Sequence, residues 1–344
     1  SPGVPCSAIG VSNSQVIASM GDLLVETIVS RLIRLSEMSP EMLSQLDRKT
    51  LIEQGLMDPV RVFVKDEPHK LEKLANGRFR LIHSVSLVDK AIEMILIRHA
   101  TKQEISQWMR IPSKPGIGFD DMANEALLAK VRSMKLPTDT DVSGWDMSVK
   151  AWMMQADCEV CIALCDNPSP FWVSAMRAKN HVESRSVFQF SDGVLVAPTF
   201  RGIVNSGKYK TSFSNSKMRV LLAQLCGADA IAAGDDCIEE YRPDAMDNYR
   251  NWGIKVKSYK PIEQGFEFCS HWYGNDGCYA INAEKMIMNF LHNPFKSSLE
   301  FRMVMSQLYN ELGSRSDWPI LVERLRALGL FELEGAQIED GQKQ

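Results

Sequence analysis

Three short polar blocks dominate this chain: D-V-S-G-W-D at Asp141–Asp146, S-G-K-Y-K-T-S-F-S-N at Ser206–Asn215, and G-D-D at Gly234–Asp236. If they act together, the fold must bring distant segments to one place. Carboxylates come from the first and last blocks, hydroxyls and amides from the middle one. Hard cations such as Mg²⁺ take a few carboxylate oxygens and leave other positions to water and phosphate, so this set suits divalent metal ions and a nucleoside triphosphate. The runs A-D-A-I-A-A and C-I-E-E-Y flank Gly234, Asp235 and Asp236 and read as a β-hairpin that presents the acids at an exposed turn.

The surrounding pattern is α+β. Val16, Met20, Leu23, Leu24, Ile28, Leu32 and Leu35 recur at helical spacing, and Ser39-Pro40-Glu41 reads as a capped helix start, so residues 11 to 57 are expected to be mainly helical. Short β-rich runs follow at Val60–Val64 and Arg78–His83. A second amphipathic helix is expected to carry Val88, Ala91, Ile92, Ile95, Leu96 and His99 on one face. Asp120 and Asp121 read as helix-start acids, where the dipole favours them. The run around Asp192 and Gly193 reads as a hairpin. Strands at Ile254 and Phe266 are expected to extend one antiparallel sheet, the chain is expected to be helical from Phe295, and the polar run from Glu334 reads as a frayed tail. The first residue is Ser1, not Met, which points to a segment upstream.

With 344 residues, 45% hydrophobic and 24% charged, the chain can bury a substantial core. A net charge of -4 argues against a generically basic nucleic-acid coat, so contact with a polyanion has to come from local patches. Two are apparent: Lys65, Lys70, Lys73, Arg78 and Arg80, then Lys208, Lys210, Lys217 and Arg219. Eight scattered cysteines fit reduced thiols, and Cys158, Cys161 and Cys165 read as core residues on one helical face rather than as zinc ligands. No apolar run reaches the length of a bilayer span; Ala91–Ile97 is interrupted by Glu93.

Nucleotidyl transfer needs a 3′ hydroxyl made nucleophilic and a pyrophosphate neutralised, and two metal ions about 4 Å apart meet both needs. Asp141 and Asp235 are the expected metal ligands, with Asp236 a weaker one. Asp139 lies two residues before Asp141 on the same strand face, as a solvent-facing acid or as added negative charge. Asp146 follows Ser143 and Gly144, where the chain is expected to pass from strand to helix. With Ser206, Thr211 and Asn215 it could read a ribose 2′ hydroxyl, whereas loop and helix capping is the plainer role of those three residues and Gly207 would be a turn glycine.

These blocks resemble motifs A, B and C of the RNA-dependent RNA polymerases of positive-strand RNA viruses. The stretch V-K-D-E-P-H-K-L-E-K-L-A-N-G-R-F-R-L-I resembles motif F, which implies that Lys65, Lys73 and Arg80 hold the triphosphate. The opening S-P-G-V-P-C-S-A-I-G resembles motif G, which implies template guidance by Ser1, Pro2, Gly3 and Pro5, with Gly207 beside them. F-E-F-C-S resembles motif E, and for the lysine of motif D the candidates are Lys255, Lys257 and Lys260, with Lys260 favoured by its distance from Gly253. S-P-G-V-P, D-V-S-G-W-D and F-E-F-C-S look most like sobemoviruses and their relatives.

The resemblance implies a right-hand polymerase with an antiparallel palm sheet flanked by helices. It divides the chain into fingers at 1–88, incomplete at the N-terminus, palm at 89–149, a fingers insertion at 150–205, palm at 206–275, and thumb with a tail at 276–344. It also implies Mg²⁺ or Mn²⁺ as cofactor, RNA template and product, ribonucleoside triphosphates, a genome-linked protein primer and other viral replication proteins as partners. The expected location is the host cytoplasm, in complexes that reach membranes through partners. A reverse transcriptase shares the palm and paired aspartates, but Asp146 with Asn215 argues for ribonucleotides. A non-catalytic RNA-binding protein with this fold would have no need of the complete carboxylate set.

Overall fold

The computed structural model describes residues 1–67, 71–275, 277–295, 297–313, 315 and 317–327, with Lys73 by its backbone alone. In chain order the first elements are α1 (Asn13–Ser36), α2 (Pro40–Gln45), α3 (Arg48–Glu53), β1 (Val60–Val64), α4 (Leu71–Ala75), β2 (Leu81–Ser84), α5 (Leu87–Ser106) and α6 (Asp121–Ser133). Next come β3 (Pro137–Val142), α7 (Trp145–Ser148), α8 (Ala151–Ala163), α9 (Pro170–Glu183), β4 (Phe188–Gln189), β5 (Leu195–Val196) and α10 (Thr211–Leu225). The remainder is β6 (Ala230–Ala233), β7 (Asp236–Glu240), α11 (Ala245–Asn251), β8 (Val256–Pro261), β9 (Gly265–Phe268), β10 (His271–Gly274), β11 (Gly277–Ala280), α12 (Ala283–Leu291), α13 (Ser298–Leu312) and α14 (Trp318–Ala327).

The helix starts follow from side chains that accept the orphan N–H groups of a first turn. Ser12 and Gln15 form a capping box on α1, Ser39 caps α2 ahead of Pro40, and Asp120 accepts from the Ala123 N–H at 2.9 Å to open α6.

The chain divides into two compact units. The first comprises residues 1–117 and 135–260. Its helical core packs Val16 and Ile28 of α1, Val88, Ile92, Leu96 and Ile97 of α5, Cys158 and Cys161 of α8, and Ala175 and Met176 of α9. The buried face of α5 keeps Val88, Ile92 and Leu96 of the expected one, with Ala91 packed beside them, but Ile95 and His99 are exposed and the acids Asp89 and Glu93 are buried. Charge partners from other elements allow those acids inside, which an apolar periodicity cannot reveal. All eight cysteines are free thiols; Cys165 lies exposed beyond the end of α8.

One sheet of this unit runs β2-β1-β4-β5, and the other β6-β7-β3-β8. In the second, β7 pairs antiparallel with both β6 and β3. Helix α10 covers β6 and β7 with Val220 and Ala223 against Ala228, Ala230, Ala232 and Cys237. Small residues on the strands let the helix backbone come close to the sheet.

The second unit comprises residues 118–134 and the chain from Pro261. Its sheet is β11-β10-β9, and its core joins Ala280 and Ala283 to Phe290, Phe301, Leu308, Leu312 and Trp318. Phe119 stacks on His271 with ring centroids 3.8 Å apart, and His271 Nε2 lies 2.6 Å from Glu311 Oε2. Two expectations are corrected here. The F-E-F-C-S strand is β9 in this separate sheet, because Cys269 and Ser270 take positive φ and turn it back onto β10. Helix resumes at Ala283, ahead of Phe295. The polar run from Glu334 lies outside the described residues. No helix among the described residues is long and apolar enough to cross a membrane.

Candidate active site

The G-D-D turn is a two-residue hairpin. Ala233 pairs with Asp236 across it, and Gly234 takes a φ of 65°, which a residue with a side chain seldom adopts. Strand β3 runs antiparallel to β7 with Thr140 opposite Cys237, so continuing the register by one residue places Asp141 opposite Asp236. Both acidic blocks thus end at the same edge of the sheet. Along β3 the side chains alternate: Thr138, Thr140 and Val142 are buried, while Asp139 and Asp141 are half-buried on the other face. Asp235 and Asp236 are exposed.

The Asp141 carboxylate forms an ion pair with Lys257 of β8. Of the three lysines weighed from the sequence, Lys257 meets the expected metal ligand, whereas Lys260, the favoured one, lies exposed near the end of the strand. Among the described residues no three acidic, histidine or cysteine side chains form a ready-made cation cage. Asp141, Asp235 and Asp236 nonetheless fit a hard cation in donor chemistry: all three are carboxylates, at adjacent strand ends and open to water and phosphate oxygens.

Gly144, in the left-handed region at φ 62°, turns β3 into the short helix α7, the expected strand-to-helix passage. This places Asp146 where Asn215 of α10 donates to it, Nδ2 to Oδ1 at 3.2 Å. Asn215 Oδ1 is buried and has no hydrogen-bond partner among the described residues. Burial raises the Asp146 carboxyl, the Asn215 bond lowers it, the Asp235 charge raises it again, and Arg80 and Lys208 lower it. Asp146 therefore lies within electrostatic reach of the acidic turn and of a basic residue expected to hold phosphate.

The loop before α10 is fixed by backbone contacts. Ser206 Oγ accepts from the His83 N–H at 3.2 Å, and Thr211 Oγ1 donates toward the carbonyls of Asn205, Lys208 and Ser206 at 3.0, 3.2 and 3.4 Å. A Cβ on Gly207 would stand 2.1 Å from the His83 carbonyl oxygen. Glycine is needed there for close approach, not only as a turn residue. Ser1–Pro5 docks on the same neighbourhood: the Leu87 N–H donates to the Pro2 carbonyl at 2.8 Å, and a Cβ on Gly3 would meet the Val85 carbonyl oxygen at 2.5 Å. Pro2 and Gly3 are buried, Ser1 and Pro5 exposed.

Lys65 and Arg80 flank Glu67, at 2.8 and 3.5 Å. The Lys73 side chain lies outside the described residues. The second basic patch is corrected. Lys208, Lys210, Lys217 and Arg219 are all buried instead of facing a polyanion: Lys208 lies on Glu183 at 3.1 Å and Lys217 on Asp157 at 3.1 Å, while Arg219 donates to the backbone carbonyls of Asp235 and Thr140. These partners come from segments remote in sequence, which a count of local charge cannot see. Ser216, beside Asn215, and Arg219 on the same helix also reach these strands, through the Gly234 N–H and the carbonyls of Asp235 and Thr140, contacts that the spacing of local charge does not reveal.

Two acidic blocks thus meet at one edge of the sheet, beside a hydrogen-bonded amide–carboxylate pair. The profile of the family described as viral RNA-directed RNA-polymerase matches residues 1–280, and the chain belongs to that family. It is 36% identical to the replicase polyprotein P2AB of Southern bean mosaic virus over 340 residues, 93% of this chain and 33% of that protein. It is 36% identical to the replicase polyprotein P2AB of Cocksfoot mottle virus over 341 residues, 96% and 35% of the two. Protein P1-P2 of Potato leafroll virus is 36% identical over 307 residues, 84% of this chain and 28% of that protein. The chain thus spans about a third of the length of these curated relatives.

Proposed function

We propose that this chain performs template-directed RNA synthesis, transferring nucleotides from ribonucleoside triphosphates to an RNA 3′ end, as the polymerase part of a larger viral replicase. The observation that carries this reading is the meeting of Asp141 with the Gly234–Asp236 turn at one sheet edge, beside the hydrogen-bonded Asn215–Asp146 pair. Membership in the polymerase family and the replicase names of the relatives support it.

In this reading residues 89–149 and 206–275 form the palm, with β6, β7, β3 and β8 and helix α10 in it, residues 1–88 and 150–205 form fingers, and residues 276–344 supply the thumb. Asp141 and Asp235 hold the cations and Asp236 supports them. Mg²⁺ or Mn²⁺, when bound there, lowers the pKa of the 3′ hydroxyl and offsets charge on the leaving pyrophosphate. Lys65, Lys73 and Arg80 draw in the triphosphate, and such phosphate contacts set affinity without reading sequence. Asp146, Asn215 and Ser206 check the sugar, with the buried Asn215 Oδ1 as acceptor for the ribose 2′ hydroxyl and Thr211 holding the loop. Lys257, through its contact with Asp141, replaces Lys260 as the lysine best placed to protonate the leaving group. Ser1–Pro5 and Gly207 border the template path. A genome-linked protein primer and other viral proteins that bring the complex to host cytoplasmic membranes belong to the same proposal.

Primer extension on a defined RNA template tests it: extension by ribonucleotides that stops on chelation is expected, and extension that prefers deoxyribonucleotides would reject it. Asn215→Asp removes the amide donor and sets two carboxylates together. The ratio of kcat/KM for a ribonucleotide to that for its 2′-deoxy analogue should fall by about tenfold, the worth of the lost Asn215–Asp146 hydrogen bond that orients the acceptor.

A further inference from the structure

Arg219 is fully buried, at 0% exposure, with its guanidinium 5.4 Å from the Trp145 ring centroid and 5.5 Å from that of Tyr249. Its Nε donates to the Asp235 carbonyl at 3.2 Å, and its second terminal nitrogen donates toward the Thr140 carbonyl at 3.4 Å. One of these carbonyls belongs to an acidic-turn residue, and the other immediately precedes Asp141. Ser216, on the same helix, accepts from the Gly234 N–H at 2.8 Å while giving its own proton to the Ser212 carbonyl at 2.7 Å. In the same pocket Glu239 accepts from Tyr249 Oη at 2.6 Å and from Thr140 Oγ1 at 3.0 Å.

A buried charge gains little stability over an apolar side chain of similar volume, so its presence between two strand ends calls for a geometric reason. We propose that Arg219 is a positioning residue: its fork, with Ser216, fixes the backbone of β3 and of the Gly234–Asp236 turn so that Asp141 and Asp235 stand at the spacing a shared cation pair requires. This rests on the proposed metal role of those two aspartates. Because α10 also carries Asn215, one helix sets both the sugar-reading pair and the metal carboxylates. Arg is suited to the task because its planar fork can span two acceptors, which the point-like ammonium of Lys cannot.

Arg219→Lys keeps a buried cation, and Ser216→Ala removes the second anchor; each is compared with the parent chain by Mn²⁺ titration followed by electron paramagnetic resonance, thermal melting, RNA affinity and extension kinetics. Expected for both is Mn²⁺ binding about tenfold or more weaker, with kcat reduced by a similar factor, and RNA affinity and nucleotide KM within about twofold, as for residues that orient metal ligands. Should Arg219→Lys not fold, Ser216→Ala carries the same comparison. Folded variants with parental Mn²⁺ affinity overturn the proposal, as does weaker Mn²⁺ binding accompanied by an equal loss of RNA affinity that tracks melting temperature. Asp235→Asn in the same titration separates the two claims: unchanged Mn²⁺ binding there defeats the metal assignment itself, while a loss there with none in the Arg219 and Ser216 variants defeats only the positioning role.

Discussion

Asp235→Asn should reduce nucleotide addition by about a thousandfold or more, roughly 4 kcal/mol of barrier at 1.4 kcal/mol per tenfold, while RNA affinity stays within about twofold. The asparagine keeps size and hydrogen bonding but removes the negative charge that holds a cation. Asp235 is exposed at the hairpin turn, and its backbone carbonyl, not its carboxylate, receives the Arg219 bond, so the substitution leaves the sheet contacts intact. Single-turnover extension and RNA binding measured on the same preparation check it. Parental extension by the variant would reject Asp235 as a metal ligand.

Lys179→Met should destabilise the first unit by about 3–5 kcal/mol, the cost of breaking a buried ion-pair network by taking one of the two cations from each of two interior acids. Lys179 Nζ lies 2.9 Å from Asp89 and 3.1 Å from Glu183; Asp89 also meets Arg31 at 3.2 Å, and Glu183 meets Lys208 at 3.1 Å. Lys179, Asp89 and Glu183 are each 6 to 7% exposed. Burial by itself would raise the Glu183 carboxyl, but the Lys208 and Lys179 ammonium groups overcome it and hold Glu183 well below the usual carboxylate range. Denaturant midpoints give the loss. Breaking the Arg177–Glu159 pair, at 45 and 40% exposure, should cost only about 0–1 kcal/mol by comparison. Equal losses at the two places would show that the interior network does not carry the stability assigned to it.

Local rules made the scaffold readable. A β-rich run gave β1 at its observed limits, proline and serine gave the start of α2, and the G-D-D hairpin and the Asp192–Gly193 turn appeared where turn chemistry placed them. Period gave Val88, Ile92 and Leu96 of the buried face of α5 but not its acids, because Asp89 is held by Lys179 and Arg31 from other helices and the Glu93 carboxylate accepts the Tyr209 N–H at 2.6 Å. The separate sheet of β9–β11 was hidden for a related reason: a strand's residues specify its pleat, whereas its neighbour depends on the turn at Cys269 and Ser270. In the site, the Asn215–Asp146 contact was anticipated from residue type and order. The Lys257–Asp141 ion pair was not, since Lys257 and Lys260 both lie on β8 and only the pairing of that strand beside β3 brings one of them to Asp141. Arg219 looked like one more cation in a basic run, although its role depends on carbonyls from two strands remote in sequence.

Crystals of the chain soaked in Mn²⁺ and measured for anomalous scattering test the central claim most directly. Shared occupancy of a cation site by the carboxylates of Asp141 and Asp235, with Lys257 displaced from Asp141, is the result expected. A map in which Mn²⁺ binds neither aspartate, or binds one while the other points to the opposite face of the sheet, would contradict it.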